Sequence, residues 1–475
     1  MTDDLAYFES EDFQEILRKY EESVRSGHPV YIDADDLADI ADYYQYNGHM
    51  EEADDAVNLA LEYNPEAVGP LLYKAREAMQ LKDYDTAEDY ARRIEPTDAL
   101  EALYLRGEIL IQQGDEQAAD EIFRMYLKDV MPDEQMDFVY DVAKIYSEYG
   151  LFEKAFQWVA RSKGDDSDDF KELMARTLFG VGKYKDSEKI YNELIDHNPY
   201  SAKYWNALAN AQFMNEDYNA ALTSSEYAIA IDPDDTESLL SKANSLYNLE
   251  NYESALSYFQ KYSEKVDTDE YGFLYQGTCL INLGRYQEAI PVLEKAEEVS
   301  DKDSYYLPDI YQELAFVYSD LKMPETAIYY LDKTEDLKCD HNNINIIRGH
   351  ILLANKRLKE AETTFRDVLA KTENNPKSML RIIVSLYENR YIKPAYQLLK
   401  SFFNQVDDDW KDGYSYMARL CMEMLEADEF MYYLKKACEK NPQEAKSVLG
   451  IFFPEDLESK DYYTYALEQL KKFEG

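Results

Sequence analysis

Basic side chains are in short supply in this 475-residue chain: 50 lysines and arginines stand against 96 aspartates and glutamates, a formal charge of −46. A surface so negative repels phosphate backbones and anionic headgroups over a Debye length of about 8 Å at physiological salt, which argues against nucleic-acid partners and membrane insertion. Cysteine is scarce too. Cys279, Cys339, Cys421 and Cys438 build no disulfide framework, and the opening Met-Thr-Asp-Asp-Leu lacks the basic and apolar regions of a secretion signal, so the expected location is cytoplasmic. No apolar run approaches the roughly 18 residues of a membrane-spanning helix. Glycine (16) and proline (14) are few for this length, against turn-rich all-β folds.

Chemistry-bearing patterns are also missing. The five histidines (His28, His49, His197, His341, His350) are scattered, with no His-x-x-x-His or Cys-x-x-Cys spacing, and no Gly-x-x-x-x-Gly-Lys phosphate loop occurs. Cys339, His341 and His350 come nearest to a metal set, but His341 reads as a loop residue and His350 as helical. The runs Asp165, Asp166, Asp168, Asp169 and Asp407, Asp408, Asp409 lack the glycine and terminal glutamate of a calcium loop. They read instead as carboxylates complementing helix N-termini. The expectation is no catalytic residue, no metal, no cofactor and no enzyme.

What the chain does hold is a repeat. Hydrophobic residues make up 45% and aromatics 14%, enough for a large core, and length alone would suggest about three domains. Self-comparison suggests otherwise. Tyr184, Tyr218, Tyr252 and Tyr286 lie 34 residues apart; Ser187, Ala221, Ala255 and Ala289 follow each by three, and Ala175, Ala209, Ala243 and Gly277 precede those by twelve. The small residue recurs outward at Ala53, Ala87, Ala119, Ala155, Ala327, Ala361 and Ala395, with a degenerate unit at Phe430, at intervals of 32 to 38. A fixed period of this size signals stacked supersecondary units. Each reads as two helices, ended at the break by Gly48, Gly114, Gly150, Gly182 or Gly284 and followed by Pro65, Pro199, Pro233 or Pro442. The small residues let paired helices approach, and tyrosines and phenylalanines fill the flanking grooves.

In residues 202–235, Trp205, Leu208, Ala209, Tyr218, Ala221, Ala228 and Pro233 form a pattern that resembles the tetratricopeptide repeat family, with Gln212 and Ser225 departing where an aromatic is usual. Gly277, Gly284, Tyr286, Ala289 and Ala296 repeat it in 270–303. The resemblance, closest to long cytosolic bacterial arrays, implies an all-α, right-handed superhelical solenoid of about twelve antiparallel helix pairs with terminal capping helices. The organisation expected is an N-terminal capping helix in 1–33 (Phe13, Ile16, Leu17, Tyr20, Val24), an acidic array in 34–303, a less acidic one in 304–442, and closing helices in 443–475 (Val448, Leu449, Phe452, Tyr463, Leu467, Leu470). The 38-residue interval around Ser300–Pro308 is a place where the stack can bend. Charge changes there as well: residues 1–300 carry 26 basic and 65 acidic side chains, 301–475 carry 24 and 31.

The same resemblance implies that the second, fifth, ninth and twelfth positions of each unit line a concave groove. Those positions hold Arg176, Asn210, Asn244 and Thr278 at the ninth, Asn206 at the fifth, Lys203 at the second, and Phe179, Phe213 and Tyr247 at the twelfth. An asparagine ladder can pair both groups of an extended backbone while the aromatics form side-chain pockets. The lysine and asparagine set with which some family members grip chaperone C-termini is missing. The expected function is a non-enzymatic, monomeric scaffold or adaptor for a protein or extended peptide. A peptide-sensing regulator is the alternative. The acidic surplus either recruits a basic partner or keeps a long stack soluble, and both readings stay open.

Overall fold

The computed structural model describes residues 7–8, 10–28, 30–94, 99–132, 134–161, 166–454 and 456–474, and every regular element among them is a helix. Asp165 lies outside the described residues. The chain forms two compact units, 1–217 and 218–475, so the change in charge near residue 300 falls inside the second.

Unit 1 opens with α1 (Glu11–Ser26). Helix hairpins follow: α2 (Ala34–Tyr46) with α3 (Met50–Tyr63), α4 (Val68–Gln80) with α5 (Tyr84–Arg93), α6 (Ala99–Gln112) with α7 (Glu116–Tyr126), α8 (Gln135–Glu148) with α9 (Phe152–Val159), α10 (Asp168–Gly180) with α11 (Tyr184–His197), and then α12 (Ala202–Met214). Unit 2 starts at α13 (Tyr218–Ile231) and pairs α14 (Thr236–Asn248) with α15 (Tyr252–Lys265), α16 (Glu270–Asn282) with α17 (Tyr286–Val299), α18 (Leu307–Asp320) with α19 (Pro324–Asp332), α20 (His341–Ala354) with α21 (Leu358–Lys371), α22 (Pro376–Glu388) with α23 (Ile392–Phe402), and α24 (Tyr414–Met424) with α25 (Ala427–Lys440). It closes with α26 (Pro442–Leu449) and α27 (Tyr462–Glu474). Tyr184, Tyr218, Tyr252 and Tyr286, the residues that set the 34-residue period, each open a helix.

The periodic small residues work as the sequence implies. Ala53, Ala87, Ala119, Ala155, Ala255, Ala289, Ala327, Ala361 and Ala395 are all fully buried. Gly349, at the small position twelve residues before Ala361, shows why that row stays small: a Cβ there would stand 2.1 Å from the ring of Phe365, the aromatic of its hairpin partner. Within each unit the first helix of a hairpin touches its partner and also the next hairpin's first helix, as α2 touches α4 and α20 touches α22. First helices therefore line one face of a unit together.

The hairpin turns share one backbone device. Gly48, Gly114, Gly150, Gly182 and Gly284 adopt the left-handed conformation that satisfies the last carbonyls of the preceding helix. In the other turns Lys82, Glu250, Lys322, Lys356, Arg390 and Leu425 take the same conformation at φ between 60° and 66°. Side chains with a Cβ pay a steric cost there of about 1 kcal/mol.

Tyrosine phenols tie repeats together by donating to carboxylates. Tyr7 donates to Asp39 (2.8 Å), Tyr104 to Asp141 (2.8 Å), Tyr149 to Glu108 (3.0 Å), Tyr387 to Glu423 (3.3 Å) and Tyr396 to Glu429 (2.6 Å), each across 32 to 41 residues of sequence. Asp120, 2% exposed, accepts from the Trp158 indole at 2.9 Å and from Arg124 at 2.7 Å. In the loop after α17, the Ser304 hydroxyl donates to Glu270 (2.6 Å) and the Tyr306 ring meets Tyr271 at 5.4 Å.

At the ends the expected stripes hold in part. Phe13, Leu17 and Tyr20 are buried, but Val24 is 64% exposed, at the edge of a cleft that it lines with Tyr44 and Leu59. Leu449 is buried at the other end, whereas Phe452 and Leu470 are both 44% exposed: a short 3-10 turn over Gly450–Phe452 stops α26 early and turns Phe452 away from the core.

Candidate functional site

The residues expected to line a groove divide between the two units. In unit 1, the Arg176 guanidinium donates to the buried Ser147 hydroxyl at 2.9 Å, and Lys203 pairs with Glu172 at 2.5 Å. Phe179 meets the ring of Tyr184 edge-on at 5.4 Å. Asn210 and Phe213 are half-buried. Asn206 is only 3% exposed, so it belongs to the packing of α12 and is not displayed on an open face.

In unit 2 the remaining three are knitted into their surroundings. The Asn244 carboxamide oxygen accepts from the Tyr271 phenol at 2.9 Å. Tyr247 packs edge-on against Tyr252 (5.5 Å) and Tyr275 (5.3 Å), and burial, with neighbouring Tyr252 and Cys279 next, pushes its phenol up to about 12. The Thr278 hydroxyl donates back to the Leu274 carbonyl at 2.9 Å. Cys339 Sγ and His341 Nδ1 approach to 3.8 Å, but His341 opens α20 and is not in a loop, and His350 pairs elsewhere. Asp166 bonds Lys171 and Asp168 bonds His197, while Ser167 supplies the N-cap of α10.

The open concavities lie further along the first-helix face of unit 2. One hollow of about 560 Å³ is walled by α18, α20, α22 and α24. Its floor is apolar: Ile346, Ile347 and Leu380 are buried, Val384 and Tyr416 half-buried, and Phe316 is 37% exposed. Glu388 and His350 stand at one end, 3.6 Å apart. Burial holds the imidazole below its ordinary range against the opposing pull of Glu388 and Asp320. Asn389 Nδ2 lies 3.3 Å from His350 Nδ1. Lys377 and Arg381, exposed and one turn apart on α22, stand at the other end.

A second hollow of about 480 Å³ shares Ile346, Lys377 and Arg381 with the first and is polar, lined also by Asn343, Lys371, Thr372, Asn375 and Ser378. Nearby on α18, half-buried Glu313 is lifted to about 7 by burial and then by Asp309. Phe316, His350 and Val384 are spaced by 34 and continue the ninth-position row. The signal was present in the sequence, but the 38-residue interval hides it by displacing the register four residues before α18.

Three family models match parts of the chain. Two describe tetratricopeptide repeats and cover residues 173–236 and 101–130; the third, anaphase-promoting complex, cyclosome, subunit 3, covers 214–296. No curated protein matches the sequence. Among solved structures, a tetratricopeptide repeat protein from Parabacteroides merdae is similar at TM-score 0.41 and 15% identity, over 52% of this chain and 97% of that one. MamA from Desulfovibrio magneticus RS-1 is similar at TM-score 0.34 and 16% identity, over 36% of this chain and 93% of that one.

Proposed function

From a chain that carries tetratricopeptide repeats, we propose that the protein is a non-enzymatic protein-interaction scaffold whose first-helix face in unit 2 receives an extended peptide of a partner. The observation that carries this reading is the pair of adjoining hollows between α18 and α24. The apolar floor of the first leaves Phe316 and Val384 open to an occupant, and an accessible apolar floor rimmed by charge is the usual composition of a recognition site. Four cysteines, none of them bridged, fit work in a reducing cytosol.

Val384→Arg tests the reading. The substitution places a charge on the floor without touching a hairpin turn or a small-residue contact. Affinity capture from the native cytosol, with quantitative mass spectrometry, should recover partners on the parent protein that the variant loses at unchanged helicity. Identical partner lists from both proteins refute the groove as the binding surface.

A further inference from the structure

The two hollows on the first-helix face of unit 2 differ in chemistry, and the difference specifies an occupant. On the reading just given, that this face holds a peptide, we propose that the cradle selects an internal, extended segment in which acidic side chains adjoin a large apolar one. The carboxylates seat against Lys377, Arg381 and Lys371, and the apolar side chain fills the hollow above Val384.

Cations are rare in this chain, and several of those in the same unit are engaged. Arg348 pairs with Asp332 at 2.6 Å, Arg357 with Glu360 at 2.6 Å, Lys400 with Glu429 at 2.5 Å and Arg390 with Glu423 at 3.4 Å. Lys371, Lys377 and Arg381 are exposed, and among the described residues none of the three makes an ion pair. Two carboxylates line the hollows on their side, and each accepts hydrogen bonds from within the chain: Asp340 from the backbone amides of Asn342 (3.0 Å) and Asn343 (3.1 Å), and Asp412 from Asn441 at 2.9 Å. Three cations gathered at the rim of one cradle, without internal carboxylate partners, form the complement of an acidic ligand.

The geometry fixes the order of groups in that ligand. Lys377 and Arg381 belong to both hollows, so a carboxylate held there stands at the edge of the apolar floor. An extended chain advances about 3.3 Å per residue, which puts the acidic and apolar side chains within a residue or two of each other. Lys377 and Arg381 project about 5–6 Å apart on α22 and Lys371 comes from α21. That spread serves several side-chain carboxylates better than one chain terminus.

Asn343 borders the polar hollow, and its carboxamide oxygen is buried without a hydrogen-bond partner among the described residues. It asks for a donor. A peptide backbone brings N–H groups, whereas a nucleic-acid phosphate at neutral pH brings only acceptors.

The test uses the full chain and random short peptides displayed in the middle of a carrier protein, which leaves no free C-terminus. Sequences enriched in Asp or Glu beside Phe, Tyr, Trp or Leu are the expected result. An enriched peptide, made with an amidated C-terminus, should bind about tenfold more weakly in fluorescence anisotropy when its acids become amides, and again about tenfold more weakly to the variant K377E/R381E. Asn343→Leu should cost several-fold, with helicity unchanged in both variants.

Enrichment of neutral or basic peptides that Val384→Arg no longer binds overturns the charge assignment and leaves the groove reading standing. Failure to enrich any sequence, or binding that Val384→Arg does not alter, removes both. A free C-terminal carboxylate that tightens binding about tenfold, or an oligothymidylate that competes through Lys377 and Arg381, assigns the cations to another ligand and overturns the proposal.

Discussion

At the scale of single residues, Glu313 shows what burial costs a charge. Its carboxyl is lifted from an ordinary 4.5 to about 7, by burial first and Asp309 second. The folded chain therefore holds this proton more tightly than the unfolded chain does. Stability falls as pH rises from about 4.5 to about 7 and stays lower above that range. Glu313→Gln keeps the shape and removes the penalty. Its melting temperature should exceed the parent's near pH 8, by an amount corresponding to about 1–3 kcal/mol, and match it near pH 4.5. A difference that does not change with pH would show that the carboxyl is ionised throughout. The repeat register tells which positions share a face, but not which neighbours claim them. The Asn244 oxygen is taken by Tyr271, 27 residues later in the next first helix, and Asn206 is packed away. Both depend on side-chain lengths in adjacent helices, which a positional rule does not contain.

Helices and turns were far more legible, because their signals are local. The tyrosines 34 apart open helices, and the glycines at the breaks adopt the left-handed conformation that only their position in the period suggested. The same turn built without glycine was not legible, since Lys82, Glu250 or Leu425 carries no sequence mark of its backbone. Leu425 makes the cost measurable: it is 89% exposed at φ 61°, so its side chain gives little packing in return. Leu425→Gly should stabilise unit 2 by about 0.5–1 kcal/mol, seen as a higher denaturant midpoint at unchanged slope. A lower midpoint would mean that the leucine packs in a way its exposure does not suggest. The 38-residue interval worked the other way. Its additional residues fall in the loop between α17 and α18, so the helices beyond it resume the period while a ladder counted straight through loses the cradle at Phe316, His350 and Val384.

On the scale of the molecule, the 34-residue period foretold an all-helical repeat and composition a chain poor in cations, while the division after Asp217 had no compositional sign. The phenol–carboxylate bonds between repeats join two oddities of that composition, 44 tyrosines and a surplus of 46 acidic over basic side chains. A neutral hydroxyl supplies the donor that a lysine would otherwise bring, and it does so only while it keeps its proton. Burial, with the Asp39 bond behind it, raises Tyr7 to about 12, and burial raises the phenols of Tyr104 and Tyr149 too. The unfolded chain loses those protons near 10, so the stabilisation is complete below that pH and disappears as pH climbs through about 12. Phenolate absorbance and loss of helical circular dichroism should accordingly rise together in one steep alkaline transition. Phenols that titrate gradually around 10 ahead of unfolding would contradict this. The phenol–carboxylate fastenings between repeats are thus latches that base releases.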